Sequence, residues 1–208
     1  MTFEVHIAEQ ADAPKLTEVF CAAFSDPFNR TMFPDTPGVR TWLEHNLFSG
    51  MDAPADQVML KVADSSVPGT VVAFAKWRRL SSGSSADHDR QPEVPAARWP
   101  EESDAELCDR FFGTMDGHHR EFMEGRPHYY LEILAVHSSY QGRGLASKLL
   151  RWGLARADEE AVEVYLSSSP DGRPLYQKYG FQAVGGSFSP FPGYEQVNMI
   201  RPVRKEQA

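Results

Sequence analysis

Two glycines separated by one residue, Gly142 and Gly144, stand where an apolar run ends and an amphipathic one begins. Glycines at a strand-to-helix joint let the backbone approach a ligand without a Cβ in the way. A helix N-terminus offers N–H groups and the positive end of a dipole. Arg143, between the glycines, adds a permanent positive charge. Together these are the parts of a pyrophosphate site, although a tight turn with no ligand meets the same pattern. A P-loop requires Gly-x-x-x-x-Gly-Lys-Ser/Thr, which the chain lacks. A dinucleotide fingerprint, Gly-x-Gly-x-x-Gly/Ala with an acidic residue about 20 positions on, meets Ser147 at its third small position. Its acid would be Glu163, too early in its strand.

Glu132 is the charged residue in an otherwise apolar run, Tyr129 to Val136. Strand alternation puts it on one face with Tyr130, Leu134 and Val136. Half-buried there, its carboxyl is expected to have a raised pKa, as a base working near neutrality requires. Pairing with an arginine, or exposure on an open sheet face, is the alternative. His128 and His137 flank the run as lesser candidates. His118 and His119 are adjacent and diverge on a helix, so no metal site is expected. Cys21 and Cys108 lack any thiolate metal or redox spacing.

The elements that must carry these groups follow from periodicity. Phe3 to Ile7 alternates as a strand. Asp12 can cap a helix carrying Leu16, Val19, Phe20 and Phe24. Ser25 to Pro37, with three prolines among aromatic residues, reads as an irregular loop, and Trp42 to Leu47 as a second helix. Val58–Val62 and Val71–Trp77 form a hairpin. Residues 81–100 are polar and rich in Ser, Pro and Asp, a mobile insert in one domain spanning 1–208. A third helix runs through Cys108 to Met123. The strand at 129–136 then leads to a helix with Leu145, Leu149, Leu150, Gly153 and Leu154 on one stripe. Val162–Leu166 is a strand and Asp171–Tyr179 a short helix. Phe181–Val184 and Glu195–Ile200 are strands around a Gly/Pro-rich loop. This order specifies an α/β domain with a mixed sheet.

Gln141-Gly-Arg-Gly-Leu-Ala146, after a strand and opening a helix, resembles the coenzyme A motif of the Gcn5-related N-acetyltransferase (GNAT) superfamily, Gln/Arg-x-x-Gly-x-Gly/Ala. Leu131 to His137 in front resembles that family's fourth strand. Ser169 to Phe181, with Leu175-Tyr-Gln-Lys-Tyr-Gly-Phe181, resembles its closing segment. The close match covers about a quarter of the chain, and the element order of the rest agrees. Arg126 to Leu131 further resembles fungal small-molecule members.

The resemblance implies a mostly antiparallel sheet of about seven strands, helices on both faces, and a splay between strands 4 and 5. It implies acetyl transfer from coenzyme A to an amine by direct attack. Leu134, Ala135 and Val136 would offer backbone groups to the pantetheine and thioester, and Gln141, Gly142, Arg143, Gly144, Leu145, Ala146 and Ser147 would hold the pyrophosphate. Ser169 would touch the pantetheine, and Glu132 would be the base, directly or through water. Tyr176 would be the general acid; phenol and thiol have similar reference pKa values, roughly 10 and 8.5, which makes the transfer feasible. Tyr179, three residues on, is the decoy. Phe28, Trp77 and Tyr130 would belong to the acceptor pocket. A non-catalytic acyl-CoA-binding module and a nucleotide-linked oxidoreductase remain as alternatives.

Composition narrows the class. In 208 residues the net charge is −8, against a sequence-blind nucleic-acid binder and in keeping with a cationic acceptor. Two cysteines do not make a disulfide scaffold. The N-terminal residues show no secretory pattern and no apolar run is long enough to span a membrane, so a cytoplasmic protein is expected; the resemblance adds a small-molecule amine as substrate, in a monomer or homodimer.

Overall fold

The computed structural model describes residues 2–51, 56–67, 69–81 and 99–204, so most of the expected polar insert, residues 82–98, lies outside the described residues. In chain order the elements are β1 (Phe3–Ile7), α1 (Ala13–Ala23), α2 (Pro27–Met32), α3 (Pro37–Trp42), β2 (Gln57–Asp64), β3 (Val71–Leu80), α4 (Ala105–Met123), β4 (His128–Val136), α5 (Leu145–Glu159), β5 (Glu163–Ser168), α6 (Arg173–Lys178), β6 (Gln182–Phe191) and β7 (Tyr194–Arg201). The seven strands form one sheet in the order β1-β2-β3-β4-β5-β7-β6. Every neighbouring pair is antiparallel except β4 and β5, which are parallel.

Three local expectations are corrected. The Ser25–Pro37 stretch contains a helix, α2, and two of its prolines start helices. Asp26 and Thr36 cap the helices by accepting from the N–H groups of Asn29 (3.1 Å) and Val39 (3.2 Å), with Pro27 and Pro37 next in line. Proline suits that first position because its φ is already helical and no N–H is needed there. The Gly/Pro-rich loop near the C-terminus is mostly strand: β6 and β7 form a hairpin with bulges between Val184 and Ser187 and between Phe188 and Phe191. Asp12 does not cap α1; its carboxylate accepts from Glu9 N–H (2.8 Å) and pairs with Lys61 Nζ (2.5 Å).

The core lies on both sides of the sheet. On one side α1 to α4 cover Met59, Phe74 and Ala135. On the other, α5 lays Leu145, Leu149, Leu150, Leu154 and Ala157 against Trp77, Leu131 and Leu166. Each leucine so buried contributes on the order of 1.5–3 kcal/mol. Trp77 is 1% exposed and fits under α5 because residue 153 is glycine; a Cβ there would overlap the indole ring. Gly113, in the middle of α4, has open space where a Cβ would stand.

These two helix glycines should therefore respond oppositely. Gly153→Val is expected to lower the Tm by at least about 2 °C, since overpacking costs roughly 1–3 kcal/mol and each kcal/mol shifts a chain of this size by about 2–4 °C. Gly113→Ala should raise it by about 2 °C, the helix-propensity gain alone. Differential scanning calorimetry of both variants checks the pair.

Candidate active site

Between β4 and β5 the sheet opens. The two strands pair only from His128 to Leu131, against Glu163 to Leu166. Beyond that point β4 stays on β3 and β5 stays on β7. The opening coincides with a β-bulge: Leu131 stands opposite Trp77 and Ile133 opposite Lys76, so Glu132 is the extra residue. A bulge bends its strand and re-aims side chains. Here it resets the alternation. Glu132 follows Tyr130 into the cavity, and Ile133 and Ala135 pack toward α1, while Leu134 and Val136 join Leu131 on the α5 side. The expected common face for Tyr130, Glu132, Leu134 and Val136 is thus broken at Glu132.

The same register decides which backbone groups face the opening. His137 N–H donates to Val72 O at 2.9 Å. Hydrogen-bonded pairs recur every second residue in an antiparallel ladder, so Ala135 bonds β3 while Leu134 and Val136 turn their backbone groups outward. Val136 O there accepts from Gln141 Nε2 at 3.3 Å. Of the three residues expected to line the pantetheine, Ala135 is turned into the sheet.

At the following turn Gly142 and Gly144 have φ of +74° and +76°, the left-handed region that glycine adopts without strain. A Cβ at either would meet nothing within 4 Å, so clear space lies before both. Gly144 precedes α5 with no side-chain cap. The helix's first bonded N–H is that of Lys148, to Gly144 O (3.2 Å), leaving those of Leu145, Ala146 and Ser147 at the helix's open end. Arg143 donates to Ser139 O (3.2 Å) and lies over the Tyr140 ring. Such an uncapped, glycine-cleared terminus suits an anion such as a pyrophosphate.

A cavity of about 450 Å³ runs from this opening to the helices of the N-terminal half. At the opening it is lined by Leu131, Glu132, Leu134, Ser167, Ser169 and Tyr176, and at the far side by Phe24, Phe33, Trp42, Trp99 and Phe112. Tyr176 is 9% exposed, its ring set edge-on against Phe181. Burial, with a smaller effect from Tyr194, raises its pKa well above that of an ordinary phenol. Proton transfer to a thiolate is then uphill, and Tyr176 is better suited to donating a hydrogen bond while keeping its proton. Tyr179 packs with α5 and does not line the cavity. Ser169 lines it and its Oγ accepts from Gly172 N–H (3.3 Å), bracing the start of α6.

Glu132 is not an isolated carboxylate. Lys76 Nζ is 2.9 Å from one oxygen and Arg78 Nε 3.1 Å from the other, with all three side chains less than a fifth exposed. Lys76 and Arg78 alternate with Trp77 along β3, which is why Trp77, expected in the acceptor pocket, faces α5 instead. Phe28 is also outside the lining. It is buried behind Tyr194, their ring centroids 4.3 Å apart. Tyr130 does line the cavity. The sequence reading missed Lys76, Arg78, Asp116, Tyr194 and Gln196, all of which line it. The Lys-Trp-Arg alternation was a usable signal for the first two. Tyr194 was hidden in a hairpin rich in glycine and proline, and Gln196 fell in an expected strand.

Behind Tyr130 lies a buried layer. His119 stacks on Tyr130, and its Nε2 is 2.8 Å from Nε2 of His128. His128 Nδ1 faces Arg126 O at 2.7 Å, so that nitrogen carries the proton and Nε2 accepts from His119. Burial, reinforced by positive charge nearby, lowers the His128 pKa to about 4 despite the Arg126 carbonyl. Among the described residues no group of three His, Cys, Asp or Glu side chains is placed to hold a metal ion, and no helix is long and apolar enough to cross a membrane.

Residues 110–201 match the family model of the acetyltransferase (GNAT) domain. A curated protein of Stachybotrys chartarum described as "Acetyltransferase" is 29% identical over 112 residues, which are 52% of this chain and 44% of that protein; the match spans less than half of the relative's length. Among solved structures, one of "histone acetyltransferase HPA2 and related acetyltransferase" from Corynebacterium glutamicum superposes with a TM-score of 0.64 at 24% identity over 100% of both chains. The PaiA N-acetyltransferase of Thermoplasma acidophilum, in complex with coenzyme A, gives 0.60 at 13% identity over 97% of this chain and 99% of that one. Arabidopsis thaliana NAA60 with a bisubstrate analogue gives 0.55 at 17% identity, over 96% and 97%. The protein has the GNAT fold. The stretch that matches the acetyltransferase (GNAT) domain model runs from α4 to the end of β7, and the opening between β4 and β5 lies inside it.

The histidine layer makes stability depend on pH. His128 titrates at about 4 in the folded chain and near 6.5 when unfolded. Between those values only the unfolded state takes up the proton. Stability from this source is therefore complete above pH 6.5 and falls as pH drops toward 4, by roughly 3 kcal/mol in all. His128→Gln retains an acceptor for His119 but does not titrate. Its loss of Tm between pH 7 and pH 4.5 should be smaller than the parent's by about 5 °C, measured by thermal melts across that range.

Proposed function

We propose that this protein is an acetyl-CoA-dependent N-acetyltransferase in which a small-molecule amine attacks the thioester directly. The observation that carries the reading is the opened β4 edge, with the outward backbone of Leu134 and Val136 running straight into the uncapped, glycine-cleared N-terminus of α5. Gln141 to Ser147 would hold the pyrophosphate, and Leu134, Val136 and Ser169 the pantetheine arm. Bound acetyl-CoA supplies the acetyl group as a thioester.

The chain's own groups account for the remaining needs. An outward N–H on β4 donates to the carbonyl oxygen as charge develops there, and a fixed donor of this kind lowers the barrier without reorganising. Tyr176 donates its hydroxyl hydrogen toward the leaving sulfur, and burial keeps that proton in place at neutral pH. As the nitrogen bonds to the acetyl carbon and the carbon–sulfur bond breaks, one proton leaves the nitrogen, and the sulfur departs as a thiolate that accepts a hydrogen bond from Tyr176 and takes one proton from water. Glu132 receives the first through water, because Lys76 and Arg78 already engage both of its oxygens. The cavity, lined by aromatic rings beyond this point, takes the acceptor.

Two experiments test this. Gly144→Val puts a β-branched side chain into left-handed backbone and into the space before the helix. Its acetyl-CoA affinity by isothermal titration calorimetry should fall at least about tenfold, the strain alone costing roughly 1–2 kcal/mol; unchanged affinity would sink the coenzyme site. Tyr176→Phe should lower kcat by at least about tenfold with little change in Tm, since removing one fixed donor to developing negative charge typically costs about 10²–10³-fold. Tyr179→Phe, on a ring outside the cavity, should retain most of the activity. The reverse ranking would remove Tyr176 from the mechanism.

A further inference from the structure

The cavity has two unlike ends, and between them they describe an acceptor. At the end where β4 and β5 part, Gln196 projects from β7 and Ser167 from β5, both lining the cavity. Gln196 is 5% exposed, and its Oε1 is buried with no hydrogen-bond partner among the described residues; the same is true of Ser167 Oγ. The fold gives these polar groups no reason to be where they are, since a buried polar atom is normally paired. A ligand donor at this end would pair them.

The far end is a wall of rings. Phe33 stacks on Trp42 at 5.8 Å, Trp99 on Phe112 at 5.1 Å, and Trp42 meets Trp99 at 5.7 Å. Trp99 is fixed by its Nε1–H donating to Asp109 at 2.8 Å. Rings this close touch one another, so no slot remains between them to enclose an ammonium group. They present a continuous apolar surface on which a flat group can lie. Among the described residues, the charged ones lining the cavity are Lys76, Arg78, Glu132 and Asp116, two of each sign. Their formal charges cancel, which gives no net pull on a second ammonium or a carboxylate. The acidity of the whole chain therefore does not carry over to this cavity.

We infer that the acceptor is a primary amine carrying a bulky apolar group, aromatic by preference, with its nitrogen held at Gln196 and Ser167 and its apolar group against the ring wall. This rests on the N-acetyltransferase reading above. Gln196 and Ser167 act as positioning residues. The nitrogen points an N–H at Gln196 Oε1, which aims its lone pair toward the opening where the thioester would lie.

The test is a panel of four amines with acetyl-CoA, followed by thiol release: 2-phenylethylamine, cyclohexylmethylamine, ethylamine and spermidine. The first two should exceed the other two in kcat/KM by at least about tenfold, the least expected of an added apolar group in a fitted pocket. Equal or better turnover of ethylamine or spermidine overturns the inference. 2-Phenylethylamine should also change the tryptophan fluorescence saturably, and Trp42→Phe and Trp99→Phe together should abolish most of that change. A change that survives both substitutions counts against the wall.

Gln196→Leu should raise the KM for 2-phenylethylamine by about tenfold, the loss of one hydrogen bond, while the KM for acetyl-CoA stays within about twofold. Gln196→Glu, which keeps the accepting oxygen, should recover part of it. Equal KM values in all three proteins remove Gln196 from the acceptor site, and the amine panel decides the substrate class even if a variant fails to fold. If calorimetry shows acetyl-CoA bound and no apolar amine binds or reacts, this inference falls and the coenzyme reading stands. If acetyl-CoA itself does not bind, both fall.

Discussion

The rest of the structure depends on the early end of the β4–β5 pairing. Four residue pairs hold the two strands in parallel, and the ladder stops at Leu131 and Leu166. An unpaired strand edge inside a protein is costly, because each buried N–H and C=O needs a partner. The sheet tolerates the gap because each strand keeps its other neighbour: β4 remains on β3 to Val136, and β5 remains on β7 to Ser168. The sheet is therefore continuous while one internal edge is exposed to the cavity. The bulge at Glu132 sits at the branch point, and the extra residue both bends β4 and delivers a carboxylate to two cations on β3. Those ion pairs pin the bulge from the neighbouring strand, so the opening is a fixed feature of the sheet.

The opening also sets the electrostatics of the site. Two of the cavity's tyrosines, Tyr176 and Tyr194, have raised pKa values for the same first reason, burial. Both remain neutral donors throughout the physiological range. Glu132 is fully engaged by the cations beside it, so the apolar strand does not isolate its charge. In the proposed reaction, proton movement through this site would follow a path through solvent for the amine and leave a held donor for the sulfur. A site built this way spends its pre-organisation on charge that develops at the carbonyl and sulfur, where fixed dipoles count most.

The parts legible in the sequence were those whose signal is local. Gly142 and Gly144 stand at the strand-to-helix joint with clear space before them, β4 was the strongest apolar run, and the α5 stripe is buried as spaced. The parts that were not legible depend on a partner far along the chain. Nothing in Tyr129 to Val136 announces a bulge; it arises from the register with β3, and it moved Leu134 and Val136 to the other face from Glu132. Trp77 looked like a pocket aromatic by type, but a strand position between two cavity-facing cations sends it the other way. Phe28 fell one layer short because α2, started by Asp26 and Pro27, turns its ring onto Tyr194. Glycine and proline weaken any strand pattern, and this hid the second half of β6 and the start of β7 with Tyr194, while Gln196 fell in an expected strand whose cavity-facing side depends on its pairing with β5 and β6.

Helix α4 joins the two polar regions of the molecule. Its Phe111, Phe112, Met115 and Asp116 line the cavity, and one turn on His118 and His119 reach the sheet. His118 Nδ1 lies 3.0 Å from the Asn198 amide nitrogen, and Asn198 in turn accepts from Tyr165 at 2.9 Å. Tyr130 is shared: it lines the cavity and stacks on His119. The seat of α4 on the sheet thus adds polar, directional contacts to its apolar ones, where that of α5 is apolar. A hydrophobic contact tolerates sliding, whereas a chain of hydrogen bonds with assigned donors and acceptors holds in one register. Fixing α4 in this way fixes Asp116 and the ring wall relative to β4. A cavity whose two sides come from different layers of the fold needs such a tie if an acceptor nitrogen is to meet the opened edge at a constant distance.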